Sequence, residues 1–209
     1  MPVVGKRFRD ALVWAAELHE DQKRKGGDIP YVSHLLGVAS IVLEHGGDED
    51  QAIAGLLYNV IRDCGPTHAQ QISDAFGPTV ADIVVECSDG AAEDTSGTGA
   101  GWQQLLDWQR RKLAHLAHLA TATDATLLVS GCSKLCNARA IVGDLDDPRV
   151  GKTVFARFKS GLDGTLAYYH SLSQVFIKRG SPVARQLDAV VVRMHVLAGV
   201  GERRGLEMN

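Results

Sequence analysis

The residues best equipped for chemistry lie in Leu56-Leu57-Tyr58-Asn59-Val60-Ile61-Arg62-Asp63-Cys64. At helical i, i+4 spacing Tyr58 meets Arg62, and Asn59 meets Asp63. A guanidinium presents a planar fork of donors suited to phosphate or carboxylate, while a phenol and a carboxylate can donate, accept or move protons. The plainer readings stand beside these: Arg62 in a solvated ion pair with Asp63 or another acid, Asn59 and Asp63 bonded to each other, and Tyr58 as half-core. His34 is either a buried histidine satisfied locally or an acid/base group. Arg24-Lys25 sits in a Gly-containing turn, where a basic pair is usually solvated. Cys132-x-x-x-Cys136 places two thiols on one helix face, which would hold a soft metal only if other ligands joined them. The four cysteines fit no dense disulfide framework, and packing thiols are expected.

Helices must position these groups. Apolar residues recur at helical spacing in Val32, Leu35, Leu36, Ala39, Val42, Leu43 and again in Ile53, Leu56, Leu57, Val60, Ile61, Cys64. Gly26-Gly27, Gly46-Gly47, Gly65-Pro66 and Gly77-Pro78 mark boundaries, and Thr67 with Gln70 reads as a capping box opening a short helix to Phe76. Residues 88–101, rich in Gly, Ala, Ser and Asp, are expected to form a flexible surface loop. Trp102, Leu105, Leu106, Leu113, Leu116 and Leu119 then restart a long helix, residues 125–142 form a more buried one, and two or three closing helices follow. The tail, 199–209, is expected to fray. The fold class is all-α, a single domain over 1–198 with its motifs in about 8–145 and closing helices in about 149–198.

With 22 Lys plus Arg against 25 Asp plus Glu in 209 residues, the net charge of -3 points to neither a nucleic-acid surface nor a polybasic membrane anchor. The longest apolar runs are too short to span a bilayer, and no signal-peptide apolar region is read at the N-terminus. A cytoplasmic protein is expected. Oligomeric state is not legible.

The run Ala15-Ala16-Glu17-Leu18-His19-Glu20-Asp21-Gln22-Lys23-Arg24-Lys25-Gly26-Gly27, with Ile29-Pro30-Tyr31-Val32-Ser33-His34-Leu35-Leu36, resembles the opening of RelA/SpoT-type guanosine tetraphosphate (ppGpp) hydrolase domains and small alarmone hydrolases of the HD superfamily. Val129-Ser130-Gly131-Cys132-Ser133-Lys134-Leu135-Cys136-Asn137-Ala138-Arg139 is similar to a later segment of that family, Lys-Leu-Ala-Asp-Lys-Leu-x-Asn-x-Arg. In those hydrolases the helix quoted first reads Leu-Leu-His-Asp-Val-Val-Glu-Asp-Thr, its His-Asp pair holding a divalent ion and its Glu-Asp pair handling the attacking water. The resemblance thus implies an HD-type helical bundle. It places His34 at the first metal-binding histidine, Tyr58 and Asn59 at the His-Asp pair, and Ser133 at the last metal-binding aspartate. Arg62 stands for the catalytic glutamate and Asp63 matches its acidic neighbour. Arg24, Lys25, Lys134 and Asn137 match positions near the nucleotide.

On this reading one histidine, an amide and two hydroxyls offer little to a dehydrated divalent ion, and Arg62 puts a fixed positive charge where the ion would sit. No metal, no cofactor and no metal-dependent pyrophosphohydrolase activity are expected. The expected partner is a nucleotide or another small anionic metabolite. His34, Tyr58, Arg62 and Asp63 are the candidate catalytic groups, and Arg24, Lys25, Asn59, Ser133, Lys134, Cys136 and Asn137 the candidate ligand contacts. Three functions are ordered accordingly: binding without hydrolysis first, a repurposed metal-independent enzyme for elimination, isomerisation or cyclisation second, and an active ppGpp hydrolase last.

Overall fold

The structure, a computed structural model, describes residues 4–24, 27–89 and 101–207, and these are helical almost throughout. The all-α expectation is met. Among the described residues β-structure amounts to one isolated antiparallel bridge, Lys23 to Pro30. No helix of the described residues is long and apolar enough to cross a membrane. The described residues form two compact units, one made of the chain up to residue 89 with 122–136, the other of 101–121 with 137–207.

In the first unit α1 (Lys6–Leu18), α2 (Val32–Glu44), α3 (Glu49–Leu57), α4 (Val60–Cys64), α5 (His68–Phe76) and α6 (Pro78–Asp89) pack with the start of α8 (Asp124–Asp146). Leu35, Val38, Val42, Ile53, Leu56, Leu57, Val60, Ile72, Val80 and Val84 are fully buried and form its core. Burial of each such side chain contributes about 1.5–3 kcal/mol, so this core, rather than intrinsic helix propensity, holds the short helices. The apolar spacing of α2 and α3 predicted most of this core: Leu36 is exposed and Val32 and Leu43 are half-buried, while Val38 and Ile41 take inward positions. α3 packs against α2 at Gly55, where a Cβ would stand 3.4 Å from Ala39 Cα.

Capping departs from the sequence expectation. Thr67 has helical backbone angles (φ -62°, ψ -22°) and makes no side-chain cap, because the chain is already coiled at that point and its hydroxyl does not face the free N–H groups of α5. Gln70 donates instead to Asp74, at 2.8 Å. The capping box is at α3, where Asp48 Oδ1 accepts from Gln51 N–H and Gln51 Oε1 accepts from Asp48 N–H, both at 2.9 Å. The glycine boundaries hold at Gly65 and Gly77, which end α4 and α5 at φ 109° and 92°.

The second unit contains α7 (Gly101–Leu119), the later part of α8, a 3-10 turn at Gly151–Arg157, α9 (Gly161–Lys178) and α10 (Ala184–Ala198). Tyr168 and Tyr169 are both buried, with Trp108 edge-on to Tyr168 and Lys112 Nζ 5.0 Å from its ring centre. They are core residues. Arg203 pairs with Asp188 at 2.9 Å and Leu206 N–H donates to Ser171 Oγ at 2.8 Å, so the stretch expected to fray is tied down over these residues. Most of the loop expected at 88–101 lies outside the described residues, and Ser88 and Asp89 belong to α6.

Replacing Asp48 with Ala removes half of the reciprocal cap. Urea unfolding of Asp48→Ala is expected to show a loss of about 0.5–2 kcal/mol with the slope unchanged, and an unchanged midpoint would deny the cap its role.

Candidate functional site

A bridged turn and three helices of the first unit bring the site together. Arg24 N–H donates to Ile29 O at 2.9 Å and Tyr31 N–H to Gln22 O at 2.8 Å, which fixes Arg24 and Tyr31 on the two arms of the turn leading into α2. α2 carries His34 inward. The start of α8 is held by Glu86, which accepts from Thr123 N–H (3.1 Å), Thr123 Oγ1 (2.8 Å) and Thr126 Oγ1. That anchorage sets the register of Ser133, Lys134 and Cys136 two turns further on.

Tyr58 and Asn59 do not lie inside one continuous helix, as the apolar spacing predicted. α3 ends at Leu57 and α4 begins at Val60, with Tyr58 as the last cap of one and Asn59 (φ -99°, ψ -7°) as the first of the other. The junction frees both side chains to point inward together. Asn59 still accepts Asp63 N–H at 2.9 Å through its carbonyl, but its side chain donates to the Tyr31 hydroxyl and not to Asp63. Asp63 is instead gripped by Arg62 through both oxygens, Nε to Oδ1 at 2.8 Å and Nη2 to Oδ2 at 3.2 Å. With side chains 26% and 17% exposed, this pair is half-sheltered rather than the fully solvated one of the plainer reading.

At the centre His34 Nε2 and the Tyr58 hydroxyl are 2.6 Å apart, with Cys136 Sγ 3.3 Å from His34 Nδ1. Gly37 permits the thiol's approach, because a Cβ there would sit 3.0 Å from Cys136 Sγ. Burial, then the positive charges of Arg24, Lys134 and Arg62, lower the His34 imidazole to a pKa of about 3. It is therefore neutral. Burial also raises the Tyr58 phenol well above its ordinary value, so the phenol keeps its proton and its hydrogen bond with His34 joins two neutral groups. Ser133 and Asn59 are each 2% exposed; the Ser133 hydroxyl is near enough to favour an ionised Tyr58 yet makes no hydrogen bond of good geometry, and Asn59 Oδ1 has none either.

The arrangement is a buried floor of neutral hydrogen-bonding groups, His34, Tyr58, Asn59 and Ser133, with half-buried cations Arg24, Arg62 and Lys134 acting on it. Such a site can hold anionic oxygens by charge and neutral oxygens by hydrogen bonds. Lys25 lies outside the described residues, and Asn137, half-buried on α8, falls in the second unit. Sequence reasoning missed Tyr31, whose hydroxyl receives Asn59, and His19, 3% exposed, whose ring centre lies 5.2 Å from that of Tyr31. Both stand inside the motif run at its start, which was the available signal.

A divalent ion needs several imidazole or oxygen ligands converging on one point. His34 Nε2 is engaged by Tyr58, the neighbouring positions offer an amide and a hydroxyl, and among the described residues no group of three or more His, Cys, Asp or Glu side chains could hold a metal ion. The residues present do not fit such an ion. Cys132 and Cys136 form no disulfide; Cys132 is buried and Cys136 half-buried.

Because His34 resists protonation only in the folded chain, its folded pKa of about 3 lies below the unfolded value of about 6.5. The unfolded state then binds more protons between those values, so stability is retained above about pH 6.5 and falls as the pH drops toward 3. Chemical unfolding followed from pH 7 to pH 4 is expected to show this fall, with a shallower slope in His34→Gln; equal slopes would remove His34 as its cause.

The comparisons with known proteins bear on what this site does. A guanosine-3′,5′-bis(diphosphate) 3′-pyrophosphohydrolase of Xenopus tropicalis, MESH1, is 32% identical over 133 residues, covering 62% of this chain and 66% of that protein. The bifunctional (p)ppGpp synthase/hydrolase SpoT of Escherichia coli K12 is 39% identical over 79 residues, 38% of this chain and 11% of SpoT. The chain thus spans less than two thirds of either relative. Among solved structures, a metazoan ortholog of SpoT superposes with a TM-score of 0.57 at 22% identity, over 86% of this chain and 99% of that one. A Listeria monocytogenes EGD-e protein does so with a TM-score of 0.59 at 23% identity, over 76% and 96%. The two sequence relatives correct the order of functions drawn from the sequence, which placed binding without hydrolysis and metal-independent catalysis ahead of ppGpp hydrolysis: both are named for that hydrolysis. Substitutions at a few positions were weaker evidence than 32% identity over 133 residues. The HD domain model matches residues 11–162, and this chain belongs to the HD-domain family.

Proposed function

We propose that this chain hydrolyses a guanosine bis(diphosphate) nucleotide, releasing the diphosphate at the 3′ position. The observation that carries the reading is its 32% identity over 133 residues to a protein named for that reaction. The electrostatics of the site support it. Arg24, Lys134 and Arg62 all disfavour a proton on His34, and a ligand with two diphosphates supplies the negative charge that such a set of cations favours.

In this reading Arg24, Arg62 and Lys134 hold phosphate oxygens. Arg62 serves two roles, since its fork on Asp63 also fixes the direction of that carboxylate. Asp63, matching the acidic group that handles the attacking water in the hydrolases it resembles, takes the proton from water as the oxygen attacks phosphorus. The electron pair of the broken P–O bond goes to the 3′ oxygen, which gains a proton. His34 and Tyr58, both neutral at physiological pH, steady uncharged oxygens through hydrogen bonds without adding charge. Asn59, Ser133 and Cys136 complete the proposed contacts.

The test is incubation of the purified chain with guanosine 3′,5′-bis(diphosphate), with and without added divalent ions, while guanosine diphosphate and pyrophosphate are followed by chromatography. Release of both in equal amounts is expected, and no release above a protein-free control under any of these conditions overturns the reading. Asp63→Asn is expected to lower kcat by about 10²-fold or more. Arg62→Ala is expected to raise KM about tenfold or more, the loss of a charge-assisted hydrogen bond being worth about 1.5–3 kcal/mol.

A further inference from the structure

α10 is apolar on more sides than its packing within the second unit uses. Leu187, Val191, Met194 and Ala198 are buried. Val192 and Val196, one turn apart on another face, are 39% and 62% exposed, and Val200, four residues further on, is half-buried. A single solvent-facing valine is ordinary, but these three border one hollow. It is a cavity of about 330 Å³, which they line together with His195, Gly199 and Arg203.

The walls are held in place by the fold. His195, 3% exposed, donates from Nδ1 to Val191 O at 2.9 Å, and His170 packs edge-on to its ring with centres 6.3 Å apart. At Gly199 the chain leaves the helix with φ 71°, a conformation cheap only for glycine. Gly199 N–H donates to Val196 O and Val200 N–H to His195 O, both at 3.0 Å, so these last-turn carbonyls already have donors.

The charges around the hollow sum to a positive balance. Arg203 Nη1 donates to Asp188 Oδ1 at 2.9 Å and Ser173 Oγ to the same oxygen at 3.1 Å, which satisfies that carboxylate within the fold. Glu202 is held by Arg204 at 2.7 Å, and Asp146 by Arg193 at 2.9 Å. Each acid thus has its arginine. Lys152, exposed and without an acid partner among the described residues, is the cation left over, and its Nζ lies beside Gly199, 3.0 Å from where a Cβ would stand. Arg203 bonds Asp188 through one N–H of its fork and keeps others for an acceptor.

We propose that this hollow is a binding site for a small monocarboxylate with an apolar tail, the carboxylate at Lys152 and Arg203 and the tail against Val192, Val196 and Val200. Apolar walls with a few polar groups at one edge are the usual make-up of a small-molecule site. A phosphate-rich ligand would find one unmatched cation here and nothing to gain from the valines. The site is separate from the one assigned to the nucleotide, and its existence does not rest on the pyrophosphohydrolase reading.

The test is titration of the full-length chain with hexanoate, and with hexanol as its uncharged counterpart, while the valine methyl resonances are followed by carbon–proton NMR. Hexanoate is expected to give saturable shifts of Val192, Val196 and Val200 with a Kd of about 1 mM or below. Hexanol is expected to bind about tenfold more weakly, having lost the charge-assisted hydrogen bonds. Val196→Asp is expected to abolish the shifts of Val192 and Val200, and Lys152→Gln, at an exposed position, to weaken binding about threefold. Absent or unsaturable shifts, equal binding of hexanol, or unchanged binding in both variants overturns the proposal. Movement of the same methyls with protein concentration alone also overturns it, because a second copy of the chain would then cover this face.

Discussion

The hydrogen bond between the Tyr58 hydroxyl and His34 Nε2, 2.6 Å long and buried, is the constraint on which the arrangement of the site depends. An unpaired imidazole or phenol at this depth would cost on the order of 1–3 kcal/mol. Pairing them removes that cost. Everything beyond the pair follows from the need to keep both neutral. Cys136 can approach the other ring nitrogen as a thiol, and the amide and hydroxyl of Asn59 and Ser133 can be buried beside them without a counter-charge. A histidine charged at neutral pH would call for a carboxylate here; Asp63, the acid of the site, is gripped by Arg62.

Charge is thereby sorted by depth. Neutral groups make the floor and the cations Arg24, Arg62 and Lys134 are half-buried. The same cations that help keep His34 unprotonated would be relieved by an incoming polyanion, so ligand charge and imidazole state are coupled. This coupling gives a physical reason for a nucleotide rich in phosphate to suit the site, independently of the likeness to the Xenopus and Escherichia coli proteins.

Local chemistry was less legible than fold. Gly65 and Gly77 marked the ends of α4 and α5 because a positive φ is cheap only for glycine. Thr67 and Gln70 matched a capping pattern and failed to cap, whereas Asp48 and Gln51 did so unannounced. The pattern of residue types is the same in both; the backbone angles at the cap decide, and those depend on how the preceding loop is held. The break at Tyr58-Asn59 was hidden for a similar reason, since apolar spacing runs on through it and only the inward pull on two polar side chains marks it.

Periodic apolar spacing determined the helices and the buried face of α2 and α3, since burial of a stripe at 3.6-residue spacing is a property of the chain itself. The order of residues in the motif run and around Ser133 also pointed to the HD family, and it named His34, Tyr58 and Cys136 one by one. Their partnership was decided by tertiary structure alone. These three residues are 24 and 102 positions apart, and whether a buried histidine meets an ion, a phenol or a thiol depends on distances of tenths of an ångström between elements that no local pattern encodes.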